Sequence, residues 1–208
     1  NLYGDYTFQV SKDGYKFNNS YSCNYFSREL EIVGYELYNV LGTVKSGDIA
    51  LNNAKVTFNN STIDVLSDGT FQLNNIYGNP QITITCDNYN PLTITLSKDN
   101  TSVLVGLSYN ISGVVSCGSN YIADVIVTAN DITTKTNSLG KFEITNLYGE
   151  NNITYFKEWY TFDNTTISHS DELNISGTYS LQGGVSKKGD NEEMEVLNNF
   201  KILLVNKD

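Results

Sequence analysis

Three heptapeptides, YNVLGTV at 38–44, YNISGVV at 109–115 and YSLQGGV at 179–185, align at spacings of 71 and 70 residues. Nothing else in the chain constrains its fold as strongly. A period of this size means one small unit used several times, each copy stacked on the next. Further matches keep the same order. LNNAKV (51–56), IADVIV (122–127) and LNNFKI (197–202) follow the heptapeptides, and DGTFQL (68–73) pairs with LGKFEI (139–144). A phrase built on tyrosine-glycine then recurs as NLYGD, NIYGN and NLYGE, starting at Asn1, Asn75 and Asn146. Tyr15, Tyr89 and Tyr160 close each round, so nine of the fifteen tyrosines occupy three repeating positions.

Each unit is all β. Threonine, valine, isoleucine and tyrosine are abundant, and apolar residues alternate with polar ones over short runs, as half-buried strands require. One round contains seven expected strands, at 40–45, 54–60, 62–66, 70–73, 81–86, 92–96 and 103–108. In QITITC (81–86) the isoleucines and Cys86 face one side and the polar residues the other, which makes Cys86 a small core filler. Ser67-Asp68-Gly69 is a tight-turn signal. Its counterpart has Leu139 in place of Asp68, so a turn of another type is expected there. A ring repeated at each strand junction plugs a sandwich corner or an inter-domain contact, with its hydroxyl on backbone or water. Tyr38, Tyr109 and Tyr179 are accordingly the candidates for packing one domain on the next.

The ordered residues Gly42, Val44, Leu51, Ala54, Val56, Asp68, Gly69, Phe71, Leu73, Gly78, Ile82, Ile84 and Tyr89 resemble the carboxypeptidase regulatory-like domain. That resemblance implies tandem seven-stranded transthyretin-like (Ig-like) β-sandwiches, with accessory or structural roles in secreted and surface proteins and no catalytic residues. It divides the chain into the C-terminal part of a sandwich (1–38), two complete sandwiches (39–109 and 110–179) and the N-terminal strands of a further one (180–208).

The formal net charge is −10, which repels phosphate backbones and makes nucleic acid an improbable partner. No run of 18 apolar residues is present, so no membrane-spanning helix is expected. Three cysteines scattered over the repeat form neither a disulfide framework nor a metal site. Eight of the 28 asparagines stand in glycosylation sequons, a number close to what this composition yields at random. His169, the only histidine, has Ser168, Ser170 and Asp171 beside it. Neighbours on a strand point to opposite faces, so this is not a converging triad, and a solvated loop is the expectation. The acidic run at 190–195 lacks the alternating spacing that wraps a calcium ion. Collagen-adhesin-type pilin domains have a similar sandwich closed by a lysine–asparagine isopeptide bond. Lys55 and Lys201 are the lysines to consider, yet Ile126 replaces them in the middle unit and no inward glutamate recurs. No enzyme activity and no cofactor are expected.

The chain starts on a phrase that elsewhere lies inside a unit, so its ends are expected to be parts of sandwiches. Either it is a stretch of a longer array, or a neighbouring chain's tail completes each head. Head and tail together still lack the third and fourth strands, which favours the array. Linker-free junctions such as GLSYNISGVV (106–115) make the expected output a stiff extracellular stalk or filament, assembled head-to-tail with copies of itself or adjacent repeats. The alternative is an adhesin or carbohydrate-binding accessory module, with Tyr21, Tyr25 and Phe26 as candidate ligand-contact aromatics and glycans as partners. Those residues belong to the stretch NNSYSCNYF (18–26) of the first unit, which is three residues longer than its siblings.

Overall fold

The computed structural model describes residues 4–24, 26 and 29–180, with the backbone of 186–188 and 194–196. Every regular element among them is a β-strand. The first four are short. β1 (Tyr6–Phe8) pairs antiparallel with β3 (Tyr21–Cys23), and β2 (Tyr15–Lys16) with β4 (Tyr35–Glu36).

Eight strands follow: β5 (Tyr38–Ser46), β6 (Ile49–Ala50), β7 (Lys55–Phe58), β8 (Ser61–Asp64), β9 (Thr70–Ile76), β10 (Gln81–Thr85), β11 (Leu92–Thr95) and β12 (Ser102–Gly106). One sheet has the order β11-β10-β7-β8. In the other, β5 is flanked by β9 and β12 and capped by β6. β12 runs parallel to β5, from Ser102 opposite Leu41 to Gly106 opposite Lys45, so the last strand returns beside the first. The seven strands expected from the sequence are all present, with ends within three residues of the expected bounds, and β6 is an addition.

The same arrangement then recurs. β13 (Tyr109–Cys117), β14 (Asn120–Tyr121), β15 (Ile126–Ala129), β16 (Ile132–Lys135), β17 (Lys141–Leu147), β18 (Asn151–Phe156), β19 (Tyr160–Thr161), β20 (Thr165–Ile167), β21 (Asp171–Ser176) and β22 (Thr178–Tyr179) build it. One sheet is β16-β15-β18-β20, and in the other β13 lies between β17 and a parallel β21. β19 pairs with β22, and β23 (Ser186–Lys188) with β24 (Met194–Val196).

Alternation separates core from surface, as a two-sheet sandwich demands. Val40 and Val44 of β5 and Ile82 and Ile84 of β10 meet in one apolar cluster, which also holds Phe71 and Val105. Ile111, Val115, Val127, Phe142 and Ile153 meet in a second. The outer faces are rich in threonine. Thr93, Thr83, Thr57 and Thr62 stand in one row across four strands, with hydroxyl pairs at 3.0 Å (Thr83–Thr93) and 3.1 Å (Thr57–Thr62). Such cross-strand pairs hold register.

One local expectation fails. The turn containing Leu139 has the same backbone as the one containing Asp68. Leu66 N–H donates to Thr70 O and Gly69 N–H to Leu66 O, just as Asn137 N–H donates to Lys141 O and Gly140 N–H to Asn137 O. Only the capping side chain has moved. Asp68 Oδ1 accepts from Thr70 N–H, whereas Asn137 Oδ1 accepts from the amides of Leu139 and Lys141.

Candidate functional site

The recurring phrases YN and N-x-YG prove to be two halves of one clamp. Asn75 and Asn146 have φ of 57° and 60°, and the glycines three residues later, Gly78 and Gly149, both have φ of 65°. Asparagine and glycine are the residues that enter this left-handed region most readily. The backbone N–H of Asn75 donates to Asn39 Oδ1 and that of Asn146 to Asn110 Oδ1, both at 3.0 Å. Tyr38 Oη donates to the Gly78 carbonyl and Tyr109 Oη to the Gly149 carbonyl, both at 2.8 Å. The clamp opens a register shift in each sheet, between Tyr38 and Val40 and between Tyr109 and Ile111.

Around the second clamp the two sandwiches meet. Only Leu107, which is buried, and Ser108 separate β12 from β13. Gly149 N–H donates to Ser46 Oγ at 2.9 Å, and a side chain on Gly47 would collide with the Gly149 backbone. Tyr89 Oη donates to the Ser168 carbonyl at 2.6 Å, and Ser170 N–H to the Asn88 carbonyl at 2.9 Å. Ser170 Oγ accepts from Asn110 N–H at 3.1 Å. The Tyr89 and Tyr109 rings meet edge to face, 5.9 Å apart at 87°. Beneath them Tyr109 Oη also contacts the Ile167 carbonyl at 3.0 Å and accepts from Asn151 Nδ2 at 2.8 Å. Burial pushes the Tyr89 phenol up from its ordinary 10.0, helped by the neighbouring Cys86 thiol and Tyr109 phenol. Burial raises Tyr109 too, against the opposing Asn151 hydrogen bond. Each direct bond is worth about 1 kcal/mol net, but an orphaned buried partner costs about 1–3 kcal/mol, so the contacts hold one another in place.

The other sequence-selected residues are dispersed. Tyr38 is half-buried on the first core. Tyr179 is exposed and meets Tyr160 edge to face at 5.2 Å. Tyr21 stacks on Phe8 with centroids 5.8 Å apart, Phe26 is 84% exposed, and Tyr25 lies outside the described residues. Lys55 is exposed on β7, and Lys201 lies outside the described residues. His169 is exposed, yet its neighbours Ser168 and Ser170 are the anchors of the junction. Among the described residues no group of three His, Cys, Asp or Glu could hold a metal, and no helix is long and apolar enough to cross a membrane.

Sequence reasoning missed Ser46, Asn88, Asn151, Ser168 and Ser170. Two of them carried a signal. Ser46 continues the inward positions of Val40 and Val44, and Asn151 those of Ile153 and Tyr155, so each is a polar residue on a core-facing register. The loop residues carried none, because their partners lie 60 or more positions away.

The boundary between the N-terminal strands and the first sandwich is more open. Tyr35 meets Tyr77 at 5.8 Å, and an exposed Lys98–Glu36 ion pair spans 3.1 Å. Beside them Tyr15, Tyr38, Gly78 and Asp99 line a cleft of about 510 Å³.

No protein-family model matches the chain, and no curated protein matches it. Among solved structures, the Bacillus anthracis TIE protein is similar over 71% of this chain and 35% of its own, at 10% identity and a TM-score of 0.29. The chain thus spans about a third of that protein's length. The shaft pilin SpaA from Lactobacillus rhamnosus GG is similar over 70% of this chain and 99% of its own, at 11% identity and a TM-score of 0.29. A streptococcal ancillary pilin covers 81% of this chain and 73% of its own, at 9% identity and a TM-score of 0.27. Overlaps this loose carry no argument about function.

Proposed function

We propose that the chain is a non-catalytic structural segment of tandem β-sandwiches that forms a stiff extracellular stalk or filament. The units are 1–38 (the end of one sandwich), 39–109, 110–179 and 180–208 (the start of another). Tyr38, Tyr109 and Tyr179 mark the joints. The incomplete outer units are completed by an adjacent repeat or a neighbouring copy, head-to-tail. The observation that carries this reading is the junction at Leu107-Ser108, where Ser46, Asn88 and Tyr89 bind across to Gly149, Ser170 and Ser168 with no flexible linker. Two bodies joined by so short a connection and so many directed bonds move as one. The extracellular placement follows from the resemblance to domains of secreted and surface proteins.

Small-angle X-ray scattering of the full chain tests stiffness. A single elongated rigid body is expected to fit the curve, and a Gly-Ser linker inserted between Ser108 and Tyr109 is expected to broaden the distance distribution. A wild-type curve that already demands a flexible ensemble across this junction would end the stalk reading.

A further inference from the structure

The parallel last strands β12 and β21 are outer strands of their sheets, each paired on one side only among the described residues. Leu41 N–H donates to the Thr101 carbonyl and Leu107 N–H to the Lys45 carbonyl. Bonds alternate along a parallel ladder, so the backbones of Val103 and Val105 face β5 and those of Ser102, Leu104 and Gly106 face outward. The bond from Gly177 N–H to the Ser116 carbonyl sets β21 the same way, with Glu172, Asn174 and Ser176 outward. Neighbours in a tandem array do not hide this edge. β12 stays open with the second sandwich behind it, and β21 stays open with the first sandwich ahead of it. The side chains differ. Leu104 is 75% exposed near Leu41 at 59%, and β12 contains no charge, proline or bulge. Such an edge is a seat for an added strand. β21 has Asn174 at the Leu104 position and opens on Asp171 and Glu172.

We infer that β12 pairs antiparallel with β21 of a second copy, Leu104 opposite Asn174, Ser102 opposite Ser176 and Gly106 opposite Glu172. In this register the outward N–H and C=O groups of each edge meet their complements on the other, and both outer faces lie on one side. Charge selects the occupant and its direction. Lys45 stands beside Gly106 and forms no ion pair among the described residues. Glu172 shares a row with Ser112 and Glu143, two carboxylates with no cation in that row. Gly106 has no side chain to separate the two, so Lys45 can reach the carboxylate opposite. A parallel pairing over the same span would put Glu172 beside Ser102 and Leu41 instead, and β12 against β12 would leave Lys45 with no carboxylate. Opposite charges on neighbouring strands stabilise the pair and fix its register. The contact joins the sides of sandwiches, not their ends, so it does not rest on the head-to-tail reading. Each copy carries one edge of each kind; the contact is heterologous, and the paired chains run in opposite directions.

Sedimentation velocity of the full chain is the test. The wild type is expected to associate as its concentration rises. Lys45→Glu and Glu172→Lys should each weaken association about tenfold, and the chain carrying both exchanges should recover it. Leu104→Asp, which puts a charge on the open edge, should leave a monomer. Circular dichroism melts of these variants should match the wild type, because each change lies on an outer face. Crosslinking locates the contact independently. With Cys23 and Cys117 changed to serine, Ser102→Cys and Ser176→Cys together should give, on oxidation, a disulfide joining position 102 of one chain to 176 of another. A wild type that stays monomeric up to roughly millimolar concentration would overturn the inference. So would association indifferent to the charge exchanges, or a disulfide that joins two copies of position 102 or closes within one chain.

Discussion

Tyr109 shows how one side chain converts a sequence repeat into a joint. Its ring is fully buried, its hydroxyl closes the Gly149 turn, and it meets the ring of Tyr89, from the sandwich before it, edge to face. Tyr38 makes the matching bond to Gly78, but Pro80 stands where the second sandwich has Asn151, so Tyr38 lacks that further support. Burial raises the phenol pKa of Tyr89, Tyr109 and Tyr155 in the folded protein. The sign follows directly: the folded form keeps protons that the unfolded chain releases near pH 10.0. Stability is therefore unaffected by these groups below that pH and falls as the pH rises through it. Thermal melts should be flat from neutral pH to about 9 and drop beyond about 10. In Tyr109→Phe the alkaline drop should be shallower, with about 1–2 kcal/mol lost at neutral pH from the severed bonds.

At the scale of elements, the parallel return of the last strand beside the first is the distinctive step, and glycine makes room for it. A Cβ on Gly113 would lie 2.6 Å from the Leu173 carbonyl of β21 and 2.7 Å from the Phe142 ring. A Cβ on Gly42 would meet only the Phe71 ring, at 2.1 Å, among its nearest atoms. A ring can turn more readily than a paired strand can retreat. Gly113→Ala should cost about 1–3 kcal/mol and more than Gly42→Ala, read as a lower denaturant midpoint with an unchanged slope. Equal losses would show that the phenylalanine, not the returning strand, sets the limit.

At the scale of the molecule, what matters is whether the two sandwiches behave as one body. Ser46 sits at the contact, buried and accepting from Gly149 N–H. Ser46→Val removes that acceptor and orphans the amide. The coupling between the sandwiches should weaken by about 1–3 kcal/mol. Calorimetry should then resolve two unfolding transitions where the wild type shows one. Two transitions already present in the wild type would show that the junction aligns the sandwiches without coupling them.

The strand content, the alternation and the places where strands turn were legible in the chain itself, because they depend on local periodicity and on a pattern written more than once. QITITC announces its own buried face, and YN and N-x-YG announce that something recurs at each joint. What those phrases do was decided only in three dimensions. The Asn110 side chain finds the amide of Asn146, Tyr89 finds the carbonyl of Ser168, and Ser46 finds the amide of Gly149. These partners lie 36, 79 and 103 residues apart. A hydrogen bond needs placement to within a few tenths of an ångström. No spacing along a chain supplies that; the packing of two whole sandwiches does.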